Sequence, residues 1–225
     1  MLRGQPQSGT QKQRLNTFYR PQAESYDQFR ERLLHGRKDM LQLLNLKPGQ
    51  RVVEIGGGTA RNLDYYSELI PELESVEVID LCPALIEQAE KRCHKWPNVN
   101  VIESDACTWQ PSKKVDRVYF SYSLTMIPNW QLAIKNAIAM LRPDGQLGVV
   151  DFYVSPSQAS FGRVQHGRFN REFWPRWFSH DGVELDPERL SFLQAQLDCV
   201  ELSENFGSVP YLPVLQVPYY IYIGH

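Results

Sequence analysis

Hydrophobic and polar positions along the chain follow two different periods, and the alternation between them divides the sequence into strands and helices. Short apolar runs predict a first buried strand that begins at 51 and further strands at 76–79, 100–102, 115–121 and 146–152. Between them, apolar residues at helical spacing predict helices at 60–69, 83–95 and about 134–141. Strands that alternate with helices at this spacing require right-handed crossovers. The pattern therefore predicts a doubly wound α/β sheet.

The periodicity changes on both sides of this region. Residues 1–14 lack an apolar face and are predicted to be disordered, whereas residues 15–46 carry aromatic and leucine residues at near-helical intervals and predict a helical cap. Residues 153–186 interleave Phe and Trp with Arg, and we interpret them as an insertion that forms a lid or a substrate-binding segment. A helix at 187–196 and strands at 199–206 and 217–223 follow. We expect one domain over 15–225, with a seven-stranded, mostly parallel sheet whose last strand is antiparallel.

The first strand runs into a glycine-rich turn with the sequence Glu54-Ile55-Gly56-Gly57-Gly58-Thr59. Backbone without side chains lets a ligand approach a strand end closely, and a turn that opens a helix presents N–H groups to a polar or anionic group. The dinucleotide pattern G-x-G-x-x-G would need a glycine where Arg61 stands, which weakens an NAD-binding interpretation. Glu54, two residues before Gly56, stands where a carboxylate could order the turn and sense a nearby cation. An ordinary tight turn with a surface glutamate is the structural alternative.

Three acids stand at the ends of three consecutive predicted strands. Glu54 follows the first strand, Asp80 the second and Asp105 the third. Because the carboxyl ends of such strands are neighbours, we expect these side chains to meet in one crevice. Asp80 lies about twenty residues beyond the glycines, where an acid accepts the two hydroxyls of a ribose. Any one of them alone would be read as a solvated surface acid.

Composition narrows the functional classes. A formal net charge of −2 gives no basic excess for a nucleic-acid backbone. No apolar run is long enough to span a bilayer and the first residues resemble no signal peptide, so we expect a cytoplasmic protein that is soluble or peripheral at a membrane. The four cysteines form no C-x-x-C pair and no histidine stands at zinc-ligand spacing. We therefore expect no metal site.

From about Tyr19 to Phe152 the chain resembles class I S-adenosylmethionine (SAM) methyltransferases. The resemblance is carried by E-x-G-G-G-T, by the acids at 80 and 105, by the segment 120–128 after the fourth strand, and by the turn at 141–146. It implies SAM as cofactor and S-adenosylhomocysteine (SAH) as product. The implied cofactor-binding residues are Tyr19, Tyr26, Arg37, Glu54, Gly56, Gly57, Gly58, Asp80, Leu81, Asp105, Ala106, Ser121 and Tyr122.

A narrower resemblance involves the ends of the chain. Residues 19–37, 177–183 and 209–220 are similar to the N-methyltransferase of betaine-lipid synthesis. That family methylates the amine of diacylglyceryl-homoserine to diacylglyceryl-trimethylhomoserine. The resemblance implies a polar lipid substrate at a membrane surface and the enzyme that makes diacylglyceryl-homoserine as a pathway partner. The alternatives are a methyltransferase of a soluble or quinone-like small molecule and a SAM-binding module without catalysis.

Methyl transfer to an amine needs alignment with the sulfonium and an amine that is not protonated. Tyr122 and His166 are the candidate catalytic bases, although His166 could equally be a loop histidine. Tyr153 could face the cationic product, and Arg163 or Arg168 could pair with a substrate carboxylate. The aromatic and arginine residues of the insertion suit either a lid packed on the core or a lipid surface.

Overall fold

The computed structural model describes residues 4–6, 8–210 and 212–225, apart from the side chains of residues 28, 29 and 213. Its α-helices are α1 (Gln11–Tyr19), α2 (Tyr26–Arg30), α3 (Arg37–Leu44), α4 (Pro83–Cys93), α5 (Trp130–Met140), α6 (Arg168–Ser179) and α7 (Arg189–Gln196). Its strands are β1 (Arg51–Ile55), β2 (Ser75–Asp80), β3 (Val99–Glu103), β4 (Val115–Ser121), β5 (Leu141–Phe152), β6 (Cys199–Val209) and β7 (Leu212–Gly224).

The strands form one sheet in the order β3-β2-β1-β4-β5-β7-β6. β1 to β5 run parallel to one another, and β7 runs antiparallel to both β5 and β6. The strand order reverses between β1 and β4, and a crevice opens at the carboxyl ends of strands on either side of such a point. The predicted doubly wound, mostly parallel sheet with an antiparallel last strand is confirmed.

Both faces of the sheet are covered, which is why its central strands are apolar on both sides. Val53 and Ile55 point to the face covered by α5 and α7, and Val52 points to the face covered by α3 and α6. Because side chains alternate along a strand, Glu54 lies on the same face as Val52 and is only 1% exposed. β1 thus carries an acid into the α3 side of the core.

The N-terminal residues are more ordered than their composition suggests. Thr10 caps α1 by accepting a hydrogen bond from the backbone of Gln13, whose side chain accepts one from the Thr10 backbone. Residues 11–14 therefore belong to a helix, which corrects the predicted disorder there. The predictions for residues 1–3 and 7, for the Phe29 side chain, for Tyr211 and for the Pro213 side chain lie outside the described residues.

The segment after the glycine turn also differs from the prediction. The prediction of an α-helix from Ala60 to Leu69 is wrong. Ala60 adopts a left-handed φ of 56°, and a short 3-10 helix, Arg61–Tyr66, follows it. A left-handed residue cannot belong to a right-handed helix. The turn is therefore not followed by an α-helix N-terminus.

The insertion at 153–186 contains α6, which packs one side onto the sheet. Trp174 is fully buried, and the ring of Phe178 stacks on Phe152 at the end of β5 with 4.7 Å between centroids. Phe169 and Trp177 lie on the other side, about half exposed at 56% and 49%. Among the helices of the described residues, none has the length and apolar content needed to cross a membrane.

Truncating a core residue of α3 tests this packing. Met40 is fully buried, and a Cβ added to Gly148 of β5 would lie 2.9 Å from its sulfur. We expect Met40→Ala to lower the free energy of unfolding by about 2–5 kcal/mol in a urea titration, because it leaves a cavity against the sheet. The control is Leu43→Ala on the same helix, where Leu43 is 43% exposed and the loss should stay within about 0.5 kcal/mol. Equal losses would contradict this packing.

Candidate functional site

Two adjoining cavities lie over the carboxyl ends of β1, β2 and β4, and both are bordered by Tyr26, Gly56, Gly58 and Tyr122. All of the predicted cofactor-binding residues except Glu54 line one or both of them. The first cavity is lined by Tyr19, Tyr26, Gly56, Gly58, Asp80, Leu81, Asp105, Ala106 and Tyr122. The second is lined by Tyr26, Arg37, Gly56, Gly57, Gly58, Ser121 and Tyr122.

In the first cavity, Asp80 is held at the end of β2 by the backbone. Its Oδ2 accepts a hydrogen bond from Gly58 N at 2.8 Å, and its Oδ1 accepts one from Cys82 N at 2.8 Å. Each carboxylate oxygen can accept more than one hydrogen bond, so both can still receive the hydroxyls of a ribose. Asp105 and Ala106 border the same cavity after β3, and Asp105 Oδ1 accepts from Cys107 N at 2.8 Å. The donor and acceptor set fits a nucleoside.

The glycine turn does not offer its amides to a ligand in the expected way. Gly56 N and Gly57 N both donate to Ile79 O, at 2.7 and 3.1 Å, and Gly58 N is taken by Asp80. Since the turn also lacks a following α-helix, neither three free N–H groups nor a helix dipole faces the cavity. Positive charge for an anionic group must come from side chains.

The N-terminal cap supplies those side chains, because α2 is fastened onto the turn. Asp27 Oδ1 accepts a hydrogen bond from Thr59 Oγ1 at 2.7 Å, and its Oδ2 pairs with Arg92 Nη2 at 2.6 Å. Arg92 also donates to the backbone carbonyl of Thr59 at 2.5 Å. These contacts join α2, the turn and α4, and they place the cap over the second cavity.

Two buried polar atoms at the second cavity, Arg30 Nε and Ser121 Oγ, have no hydrogen-bond partner among the described residues. Arg37 is 5% exposed, donates from Nε to Leu34 O at 3.1 Å, and lies 3.2 Å from Glu31 Oε2. Buried polar groups without partners are costly unless a ligand satisfies them. The Arg37 guanidinium and the Ser121 hydroxyl fit the amino-acid end of SAM, so the cleft as a whole fits this cofactor.

Glu54 lies beneath the turn and outside the lining of both cavities. Its Oε1 accepts from Asn62 Nδ2 at 2.6 Å and its Oε2 from the Tyr119 hydroxyl at 2.9 Å. Burial raises the pKa of this carboxyl to about 7, although both hydrogen bonds oppose the shift. A Cβ added to Gly57 would lie 3.1 Å from Glu54 Cδ. Glu54 therefore supports the turn from below, and the expectation that it senses a ligand cation directly is not met by its position.

Tyr122 forms a wall between the two cavities. It follows β4 with a left-handed φ of 55°, and its hydroxyl donates to His35 O at 2.7 Å. Burial raises the pKa of this phenol well above its usual value of 10. Tyr122 thus stays protonated at neutral pH, and a hydroxyl that donates to a backbone carbonyl is poorly suited to act as a base.

The remaining predicted residues lie away from the cleft. His166 is 2% exposed with Nδ1 accepting from Ser155 N at 2.9 Å, and burial lowers its pKa. Arg163 pairs with Glu204 at 2.9 Å, and the Tyr153 hydroxyl donates to the same carboxylate at 2.5 Å. Neither these three residues nor Arg168, which pairs with Glu172 at 2.7 Å on the surface of α6, line the two cavities. The structure does not bring them together with the cofactor-binding residues.

The sequence analysis missed Asp27, Arg30 and Asn62. Arg30 follows Tyr26 by four residues, and this spacing places two helical residues on one face. That spacing was available in the sequence as an indication that Arg30 shares the side of α2 that carries Tyr26. Asp27 and Asn62 gave no comparable indication, because their partners are far away in the sequence.

A family model described as "Methyltransferase domain" matches residues 24–184. Malonyl-[acyl-carrier protein] O-methyltransferase 1 of Ilyobacter polytropus is 23% identical over 143 residues, which are 63% of this chain and 53% of that protein. Demethylmenaquinone methyltransferase of Lysinibacillus sphaericus is 20% identical over 186 residues, 76% of this chain and 80% of that protein. The chain spans about half the length of the Ilyobacter relative and of a Tropheryma whipplei demethylmenaquinone methyltransferase.

Two solved structures are similar in fold. The N-methyltransferase NodS of Bradyrhizobium japonicum in complex with SAH has a TM-score of 0.66 and 19% identity, covering 96% of this chain and 99% of that one. Phosphoethanolamine N-methyltransferase 2 of Haemonchus contortus, with SAH and phosphomonomethylethanolamine, has a TM-score of 0.72 and 14% identity, covering 97% and 60%. At identities of 19% and 14%, both similarities show a shared fold.

Removing the charge of Asp80 tests the placement of the nucleoside. We expect Asp80→Asn to weaken SAH binding by about 10- to 100-fold in isothermal titration calorimetry, because hydrogen bonds to a charged acceptor are lost. The melting curve should remain cooperative. Glu77→Gln, on the same strand but outside the lining of either cavity, should bind SAH as the wild type does. Equal affinity of Asp80→Asn and wild type would contradict this placement.

The pKa of Glu54 predicts a pH dependence of stability. Because the folded pKa of about 7 lies above the usual 4.5, the native state keeps a proton that the unfolded state loses between these values. Stability should therefore fall as pH rises from 4.5 to 7, by up to about 3 kcal/mol from this group. We expect Glu54→Gln to remove this slope in urea titrations at several pH values, whereas Glu90→Gln, an exposed control, keeps it. If Glu54→Gln changed the free energy of unfolding by the same amount at every pH, the pH dependence could not be assigned to Glu54.

The geometry and the comparisons lead to one class of protein. The cleft offers an acceptor for a ribose, an aromatic wall and cationic side chains, and it lies at the carboxyl ends of the strands beside the point where the strand order reverses. The family model covers well over half of the chain, from the cap to the insertion. This chain belongs to the methyltransferase domain family, and it is a class I SAM-dependent methyltransferase domain.

Proposed function

We propose that this domain transfers methyl groups from SAM to the amine of a small molecule, and that diacylglyceryl-homoserine is the first acceptor to test. Bound SAM supplies an electrophilic methyl group, so that an N–C bond forms as the C–S bond breaks. The proposal rests on a cleft with tyrosine walls and buried arginines, in which the carboxylates beside the second cavity are paired with arginines.

The groups that could remove a proton are already engaged. Asp80 and Asp105 border the first cavity, where the nucleoside is placed, while Asp27 and Glu31 are paired with arginines. Tyr122 keeps its proton. An acceptor that must be deprotonated by the protein, such as a hydroxyl or a ring carbon, is poorly served by this set. An amine that arrives neutral needs no such group, and the ammonium formed by one transfer loses its proton to water before the next transfer.

The charges of the cleft favour a neutral amine. Arg30 and Arg37 are buried at the second cavity, and the sulfonium adds a further positive charge. Like charges nearby disfavour a protonated amine and lower its pKa. The same repulsion acts on the methylated product and promotes its release. Alignment in a dry cleft then provides most of the catalysis.

The relatives name different acceptors, so the acceptor of this domain is proposed from its own surface. The solved N-methyltransferases agree with an amine acceptor, whereas the malonyl and demethylmenaquinone relatives name acids and quinones. A lipid acceptor is supported by α6, whose exposed Phe169 and Trp177 lie beside Arg168 and Arg176. Aromatic rings flanked by arginines suit the interface of an anionic bilayer.

A panel of acceptors tests the proposal. The protein is incubated with SAM and with diacylglyceryl-homoserine in vesicles, L-homoserine, phosphoethanolamine or demethylmenaquinone, and the products are read by mass spectrometry. We expect successive increments of one CH₂ on an amine. The variant His166→Ala should keep the rate within about twofold, since His166 lies outside the cleft.

Three results would change the interpretation. Transfer to the quinone ring alone would favour the quinone-like alternative, and tight SAH binding without transfer to any acceptor would favour a binding module. For the lipid acceptor, replacing Phe169 and Trp177 with serine should lower the rate on vesicles and leave soluble amines unaffected. An unchanged rate of methyl transfer on vesicles would show that these exposed residues of α6 do not contribute to methylation of a lipid acceptor.

A further inference from the structure

Arg30 is a buried cation at the reacting end of the cleft. It ends α2, is 8% exposed, and borders the second cavity together with Tyr122 and Ser121. Its guanidinium carbon lies 4.9 Å from the ring centroid of Tyr26 and 5.9 Å from that of Tyr19. Its Nε has no hydrogen-bond partner among the described residues. The stacking holds the planar group in place and leaves an N–H available to a ligand.

No carboxylate of the described residues forms an ion pair with Arg30 within 4.0 Å. Burial works against its charge, yet the pKa of the guanidinium lies above its usual value because Tyr26, Tyr19 and Asp181 favour the cation. The group therefore stays charged. A buried cation without a partner is unfavourable, and it is satisfied when a ligand brings an anion.

SAM provides one carboxylate, and Arg37 is better placed to receive it. Arg37 lies 3.2 Å from Glu31 and 3.4 Å from the Asn62 side chain, next to the glycine turn. The methionine end of SAM is a zwitterion, so the Arg37–Glu31 pair offers a cation for its carboxylate and an anion for its ammonium group. Arg30 offers a cation alone, which suits a second ligand with a net negative group.

We infer that Arg30 binds a carboxylate carried by the acceptor, so that the domain selects amines that also bear an acid. A guanidinium is suited to this role because its fork of N–H donors matches a carboxylate in two places. This inference rests on the proposed function in that it concerns the second ligand of the same cleft. It replaces Arg163 and Arg168, which are paired elsewhere, as the residue for the acceptor carboxylate.

Binding to the SAH-saturated protein tests the inference without turnover. In isothermal titration calorimetry, L-homoserine is compared with L-homoserine amide, which lacks the negative charge. We expect the wild type to bind the carboxylate about 10- to 100-fold more tightly than the amide, and we expect Arg30→Gln to lose this preference. The matched control is Arg32→Gln, an exposed arginine in the same cap, which should keep it. The affinity of Arg30→Gln and of Arg32→Gln for SAH should stay within about twofold of that of the wild type.

A second pair of probes separates a free acid from a lipid headgroup. Diacylglyceryl-homoserine and its methyl ester are presented in phosphatidylcholine vesicles. If the acid is preferred only when it is presented in vesicles, the site binds a lipid headgroup. If the free acid is preferred as well, the site binds the amino acid itself. Arg30→Lys keeps the charge and loses the planar fork, so its preference should fall severalfold, and it carries the test if Arg30→Gln does not fold.

The inference is overturned if the wild type prefers the acid from neither source, or if the Gln and Lys variants keep the full preference. It is also overturned if Arg30→Gln weakens SAH binding while Arg37→Gln does not, since Arg30 would then serve the cofactor. If binding depends on the carboxylate but no methyl group is transferred, the carboxylate site at Arg30 is supported and the proposed function is contradicted.

Discussion

The contact on which the cleft depends is the attachment of α2 to the glycine turn through Asp27. One carboxylate oxygen receives the Thr59 hydroxyl and the other pairs with Arg92, so that cap, turn and α4 are joined at one point. This attachment places Tyr26, Arg30 and Arg37 over the ends of the strands. The protein thereby gains aromatic walls and positive charge at a place where the sheet alone provides neither.

That dependence follows from how the turn uses its own hydrogen bonds. The amides of Gly56 and Gly57 bind the carbonyl of Ile79, Gly58 binds Asp80, and Ala60 turns the chain away from an α-helix. A turn with satisfied amides holds its shape without a ligand. Its glycines are still required, because a side chain at Gly57 would collide with Val78 and Glu54 beneath it. The arginines of the cap take over the role that a helix N-terminus would have played.

The sheet and most of the cleft could be predicted from the sequence, because both follow from local patterns. Strand periodicity fixed the seven strands, and residues at strand ends, such as Asp80 and Asp105, share an edge by topology. The failures among the proposed site residues involve partners from other elements of the fold. The depth of Glu54 depends on Asn62 and Tyr119, the position of His166 depends on Ser155, and the pairing of Arg163 depends on Glu204 in β6. None of these partnerships leaves a local spacing that sequence analysis can detect.

A crystal structure of the protein with SAH tests the account most directly. The account predicts that Asp80 receives the ribose hydroxyls, that the homocysteine carboxylate contacts Arg37, and that the sulfur faces Ser121 and Tyr122 with Arg30 still unpaired beside it. A carboxylate bound by Arg30, or by backbone amides of the glycine turn with the cap displaced, would contradict the claim that the cap provides separate cationic groups for cofactor and acceptor.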